Sequence, residues 1–386
     1  MRRIYIALRH RARELGSIEC RLWTPVRPSF LAEGGWAPEA MILIGRGDKA
    51  ETDRSALDIP AVYVDVTPYD RKRRPAPEGW TTVANNEGQI GRMAADHLWK
   101  LGLRRFCLLN QGWIGIQRPR SGGFIDALAE RKCTCDDLVE LTSHRPFDES
   151  DGPGPLRIVE HLQQLPRPFG LFATSDAVAE LAVDWCKLAG LRVPQDVAVL
   201  GAGDDPLYAP HANVPLSSVH LPYWEMGRHA IDQIVHVMAS TGNAGAKALR
   251  SKLGDRLHPP QKSIKLSPIG VTERSSTAGA YTSDELVAGM IAKVREDQHC
   301  QITVDDLTWM LDVSAPTLYR RCRAALGVSP SRYIQQVRVN RSVRLLRDTD
   351  GSLAEVALRC GFSDQASFTR AFKRLTGATP GDFRTS

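Results

Sequence analysis

The sequence predicts a two-lobed α/β region followed by a smaller all-α domain with two helix-turn-helix motifs. Three observations predict it. Strand and helix patterns alternate through about the first 275 residues, which argues for parallel sheets with helices on both faces. The last hundred residues carry only helical periodicity, broken by short turns. The excess positive charge sits in that last part. Residues 313–386 hold 13 Lys+Arg against 5 Asp+Glu, a net of +8, whereas the whole chain carries +6. A basic module on a near-neutral body suits a polyanionic partner.

Taken in order, residues 3–16 read as a helix. Residues 18–23, 40–44, 61–64 and 81–84 read as strands, and 86–100 as a helix. Residues 106–109 form a strand, 123–131 a helix, 169–174 a strand and 176–189 a helix. Residues 197–201 form a strand and 223–239 a helix. So many elements exceed one small sheet and predict two α/β lobes.

The C-terminal part begins with a helix over 284–295, where Leu286, Met290, Ile291 and Val294 share a face. In 303–310, Val304, Leu307 and Met310 repeat at helical spacing, and Asp305 and Asp306 favour the first turn. After a break at Leu311-Asp312-Val313, Ser314 caps a helix that has Pro316 in its first turn and stops at Gly327. Two short helices with so tight a turn make a helix-turn-helix over about 303–326. Arg320, Arg321 and Arg323 on the second helix suit a major groove. Ser329-Pro330 opens a long helix to about residue 347. The pattern then repeats over about 352–376. Gly361 allows positive φ in the turn, Ser363 caps the following helix, and Arg370, Lys373 and Arg374 lie on it. Ser314 and Ser363 stand 49 residues apart. This duplication would place two recognition helices in successive major grooves, about 34 Å apart.

Composition excludes several classes. With 42% hydrophobic and 24% charged residues the chain is globular. No run of about 18 apolar residues exists, so no membrane partner is expected. The basic N-terminus lacks the apolar stretch of a secretory signal, which predicts a cytoplasmic chain with eight free thiols. The Cys133-x-Cys135 pair reads as incidental, and Arg71-Lys72-Arg73-Arg74-Pro75 as a solvated loop. The ten His show no metal spacing. There is no P-loop, no Gly-x-Ser-x-Gly and no His-Glu-x2-His, and Gly201-x-Gly203 is too short for a dinucleotide fingerprint. An enzyme, a cofactor and a metal are therefore not expected. A cytosolic sugar-processing enzyme with a helical appendage stays as a remote alternative.

The run Val356-Ala357-x3-Gly361-Phe362-x5-Phe368-x3-Phe372-Lys373-x3-Gly377-x-Thr379-Pro380-x2-Phe383-Arg384 resembles the second helix-turn-helix of AraC/XylS-type transcription regulators. Leu318-x2-Arg321-x4-Leu326-Gly327-x-Ser329-Pro330 resembles the first. Val356, Ala357, Phe362, Phe368, Phe372, Leu375 and Phe383 are the core of that pattern. The resemblance implies that residues early in each recognition helix reach bases. In the second unit these are Ser363, Asp364, Gln365 and Ser367, with Asp364 open to a purely capping role. Arg370 and Lys373 match phosphate contacts. In the first unit the matching positions are Ala315, Pro316 and Thr317, then Arg320. Ala315 and Pro316 offer no side-chain donor, which leaves methyl contact with thymine.

Ala173-Thr174-Ser175-Asp176-x2-Ala179, the run 190–201 (GLRVPQDVAVLG) and Pro215-Leu216-Ser217-Ser218-Val219 resemble the sensor domain of LacI/GalR-type repressors. Ala84-Asn85-Asn86-x4-Gly91-x2-Ala94-Ala95-x-His97-Leu98-x2-Leu101-Gly102 resembles its first lobe, and Ile264 to Ser276, including Val271-x-Glu273-Arg274-Ser275-Ser276-Thr277, the exit into a linker. That fold is similar to periplasmic sugar-binding proteins. Such a sensor ahead of an AraC-type reader is the layout of the xylose-operon activator family. The resemblance implies a sensor over 1–275, a linker over 276–282 and a DNA-binding domain over 283–386.

The same resemblance implies a sugar effector, double-stranded DNA as partner, a homodimer, and RNA polymerase as a partner if the chain activates. Ligands of such sheets sit beyond the carboxyl ends of strands. Matching positions give Arg120, Ser175, Asp176 and Asp204 as candidate ligand residues, with Trp113 or Tyr208 open to stacking or to packing. Asp176 reads best as a helix cap. Ser175 and Gly203 replace the Asn and Asp that relatives usually carry, which keeps open an orphan regulator whose sensor only dimerises. By the same matching the chain opens at the sensor's first helix, with either a start codon further upstream or a lost first strand.

Overall fold

The computed structural model describes residues 2–16, 18–21, 38–45, 59–66, 80–110, 118–138, 154–279, 281–282, 284–297, 299–349, 351–376 and 379–384. In chain order come α1 (Arg2–Leu15), β1 (Met41–Ile44), β2 (Ala61–Asp65), β3 (Thr81–Asn85), α2 (Glu87–Lys100), β4 (Arg105–Leu109) and α3 (Arg118–Ala129). β5 (Thr134–Asp137), α4 (Gly154–Gln164), β6 (Phe169–Ala173), α5 (Asp176–Leu188), β7 (Val197–Ala202) and β8 (Ser217–His220) follow. Then come α6 (Tyr223–Ser240), α7 (Ala244–Leu253), β9 (Ser263–Leu266) and β10 (Gly270–Thr272). The rest is helical: α8 (Glu285–Glu296), α9 (Val304–Met310), α10 (Ala315–Leu326), α11 (Pro330–Asp348), α12 (Leu353–Arg359), α13 (Gln365–Thr376) and α14 (Pro380–Arg384).

The chain divides into two compact units. The first comprises Met1–Asn86 and Pro222–Leu266. Its four strands run parallel in the order β1-β2-β3-β9. Ile4, Leu8, Ala12 and Leu15 recur at helical spacing on α1 and pack with Met226, Ala230, Ile231 and Ile234 of α6. Burying each Leu or Ile stabilises by about 1.5–3 kcal/mol. Arg11 fastens the same two helices through Asp232, with Nε to Oδ1 at 2.8 Å and a second bond at 3.0 Å.

The second unit comprises Glu87–Leu221 and Ser267–Thr385. Its sheet has the order β10-β8-β7-β6-β4-β5, all parallel except for the β10–β8 pair. The central β6 and β7 are apolar throughout and buried on both faces, as parallel strands under helices require. Helical residues 284–384 complete this unit around two small cores. One gathers Val287, Leu307, Leu318, Cys322, Leu326 and Ile334, the other Val339, Val356, Phe362, Phe368, Phe372 and Phe383.

The two-lobed α/β body and the all-α C-terminal domain follow the expectation. Three details differ. Residues 18–21 join no sheet, and 22–23 lie outside the described residues. The segment expected to lead out of the sensor holds β9 and β10, one strand in each sheet. The stretch 276–282 is no loose tether at its start: Ser276 and Thr277 are buried, and Ser276 donates to the Val199 carbonyl at 2.6 Å. Trp113 and the basic run 71–75 lie outside the described residues, as does Gly377.

Candidate nucleic-acid interface and strand-end site

The first helix-turn-helix starts on a capping box. Thr303 Oγ1 accepts from the Asp306 N–H, and the Asp306 carboxylate accepts from the Thr303 N–H. Asp312 turns the chain at φ 50° and α10 follows. Leu318, Cys322 and Leu326 face inward, which leaves Ala315, Pro316, Arg320 and Arg323 exposed. Thr317 is half-buried, its Oγ1 3.0 Å from Ser314 Oγ. Arg321, expected at DNA, is engaged within its own domain. Its guanidinium holds the Asp284 carboxylate at 2.7 and 2.5 Å and so ties α10 to the N-cap of α8. That pairing keeps the Asp284 carboxyl below the usual range.

The second unit repeats the device. Ser352 and Glu355 form the capping box. Gly361 turns at φ 78°, and a Cβ there would lie 1.8 Å from the Cys300 carbonyl oxygen. Only glycine fits, for both reasons. The cap of α13 is Asp364, not Ser363: Asp364 Oδ1 accepts from the Ser367 N–H at 2.7 Å, and Ser363 Oγ donates to Oδ2 at 2.9 Å. These donors hold the Asp364 carboxyl below its ordinary value. Gln365, Arg370 and Lys373 are exposed and Ser367 is half-buried.

The cap changes the register between the units. The first helices repeat at 49 residues, Thr303 with Ser352 and Asp312 with Gly361. The second helices repeat at 50, with buried Leu318 matching Phe368 and Cys322 matching Phe372. Gln365 therefore matches Ala315, Ser367 matches Thr317, Arg370 matches Arg320 and Lys373 matches Arg323. Basic residues occupy equivalent places in both units. Polar donors at the helix start belong mainly to the second.

The other candidate site lies at the carboxyl ends of β4 and β6. Arg120 is only 2% exposed. It reaches Glu87, at the start of α2, with Nε at 2.7 Å, and the Thr174 carbonyl at 2.5 Å. Thr174 Oγ1 donates to the Asn110 side chain at 3.3 Å, and Asn110 Nδ2 donates to Ser121 Oγ at 3.3 Å. Glu87, Asn110, Ser121 and Thr174 thus join Arg120. Among these, only the strand-end position of Asn110 and Thr174 was a usable sequence signal.

Ser175, not Asp176, caps α5 by accepting from the Val178 N–H at 3.3 Å. Asp176 turns inward. Its carboxylate accepts from Ser218 Oγ at 2.5 Å and from the Asp205 N–H at 2.6 Å. Burial outweighs these donors and pushes its pKa up to about 7. Gly203, at φ 131°, gives that carboxylate room, since a Cβ would stand 3.1 Å from Asp176 Oδ2.

Asp204 is also internal. It bonds His220 Nδ1 at 2.9 Å, Thr272 Oγ1 at 2.9 Å and Arg274 at 2.7 Å, stitching β7, β8 and β10 together. Asp176 and Asp204, expected at the ligand, are thus engaged by their own sheet. The network runs on: the His220 ring lies 5.2 Å from that of Phe383 in the second helical core. Asn340 of α11 donates to Glu273 at 2.8 Å. Tyr208 is half-buried beyond β7.

This geometry combines two helix-turn-helix units with a periplasmic-binding-protein-like body, and the comparisons agree. The periplasmic binding protein-like domain family matches residues 95–277, and the helix-turn-helix domain family matches 307–386. The chain has the domain pair of an AraC-type transcription regulator and is similar to the xylose operon regulatory proteins. It is 26% identical to that of Haemophilus influenzae over 312 residues, 78% of this chain and 74% of the relative. It is 27% identical to that of Escherichia coli K12 over 228 residues, 59% of this chain and 54% of the relative. Against the transcriptional activator RhaS of Klebsiella pneumoniae the identity is 25%, over 42% of this chain and 57% of the relative. The chain thus spans about half the length of the last two. A solved structure of the xylose-binding transcription activator xylR matches the fold with a TM-score of 0.55 at 23% identity. That match covers 99% of this chain and 94% of the other. No helix among the described residues is long and apolar enough to cross a membrane.

Proposed function

We propose that this chain is a cytoplasmic, sugar-responsive DNA-binding regulator and not an enzyme. It acts as a homodimer, takes a xylose-like sugar, and contacts RNA polymerase where it activates. The observation that carries the DNA-binding reading is the pair of helix-turn-helix units on one helix, with Arg320 and Arg323 in one matching Arg370 and Lys373 in the other. Thr317, Gln365 and Ser367 supply the groups that read bases. The effector sits at the carboxyl ends of β4 and β6, near Arg120 and Ser175. The names of the relatives support a pentose. The chain from Asp176 through Ser218 and Asp204 to His220 and Phe383 gives occupancy a route to the second reader.

A second reading is favoured by the inward turn of Asp176 and Asp204: an orphan regulator whose sensor only dimerises. Thermal-shift titration against pentoses and hexoses separates the two. At 100 times its Kd an effector that binds the folded chain stabilises it by about 2.7 kcal/mol. A selective shift is the expected result. A sharp melt that no sugar moves would establish the orphan reading.

A further inference from the structure

In the first unit, Glu225 and His229 stand one turn apart on α6, and His258 follows the short turn after α7. One donor atom from each lies within 4.8 Å of the others. We propose that these three side chains form a binding site for a borderline divalent transition metal of the zinc type, independent of the effector and of DNA.

The donor set is two imidazoles and one carboxylate, which suits zinc with a fourth position open. His spacing along the chain gives no hint of it, because His258 is brought in only by the fold. His258 is pre-oriented. Its Nδ1 is 2.7 Å from Asp232 Oδ2, and its backbone N–H donates to the same oxygen at 3.0 Å. This carboxylate–imidazole pairing is the support that metal-binding histidines use, and it leaves Nε2 for a ligand. Asp232 is fixed in turn by Arg11. The Nδ1 of His229 is buried without a hydrogen-bond partner among the described residues.

The two imidazole rings stack with centroids 3.7 Å apart, an arrangement that positive charge on both would oppose. Bonds of about 2.0–2.1 Å in a tetrahedron put donors roughly 3.4 Å apart, which side-chain adjustment reaches from donors that already lie within 4.8 Å of one another.

The test uses the full chain, stripped with a chelator and titrated with Co2+, then Zn2+. The expected result is one equivalent of Co2+ per chain, with a tetrahedral visible spectrum, no sulfur charge-transfer band, and displacement by Zn2+. His229→Gln and His258→Gln should each weaken binding at least 10-fold, while His299→Gln at an exposed position leaves it unchanged. Circular dichroism confirms that the variants fold. If either variant does not fold, Glu225→Gln takes its place in the same titration. Failure to bind, a thiolate spectrum, or binding unchanged in the folded variants would each overturn the site and leave a stacked imidazole pair.

Discussion

The two helix-turn-helix units share a skeleton but not a reading surface. Each has a capping box on its first helix, a positive-φ turn residue and three inward positions on its second helix. They part at the cap. The first unit goes from Ser314 straight into Ala315 and Pro316. The second inserts one residue, caps with Asp364 and then presents Gln365. The fold of each reader is thus set by its core and caps, and its sequence preference by two or three side chains that the core ignores. On the proposed function, base reading falls mainly to the second unit through Gln365 and Ser367, while the first holds phosphate and offers Thr317 and methyl groups to the bases.

The largest effect that would sharpen this comparison is on stability. Gly361→Ala places a Cβ against the Cys300 carbonyl at positive φ and should cost about 3 kcal/mol in urea unfolding. Asp312→Ala at the matched turn already has a side chain and should cost about 1 kcal/mol or less. Equal costs would show that the close approach of the Cys300 carbonyl adds nothing at Gly361. The smaller effect is on salt dependence. Arg320→Ala and Arg370→Ala should each weaken binding to all sequences alike and lower the salt slope by about 1. Arg321→Ala should leave that slope unchanged, because its partner is Asp284. A slope that falls for Arg321→Ala in fluorescence-anisotropy titrations would return that residue to the DNA.

The elements that were legible in the sequence are those that local rules decide. Apolar β6 and β7, the stripes of α1 and α8, and the Gly327 stop could be read from pattern and cap chemistry. Strand β5 could not, since Thr134-Cys135-Asp136-Asp137 is a polar edge strand recruited by β4 alone. Residues 18–21 alternate like a strand yet find no sheet partner. The Ser363-Asp364 pair offers two capping residues in a row, and only the backbone decides between them.

The strand-end site was half legible. Position marked Arg120 and Ser175. The inward turn of Asp176 depends on Ser218, and that of Asp204 on Arg274, some 42 and 70 residues away. Glu87 meets Arg120 across two helices and has no sequence signal of its own.

The most direct measurement is selection of bound operators from a randomised DNA pool by the intact chain and by Gln365→Ala. Loss of one bidentate base contact is worth about 1–3 kcal/mol. The variant should lose preference at one or two adjacent positions and keep the rest. An unchanged preference with Gln365→Ala, together with its loss with Thr317→Ala, would show that the first unit is the reader and contradict the account.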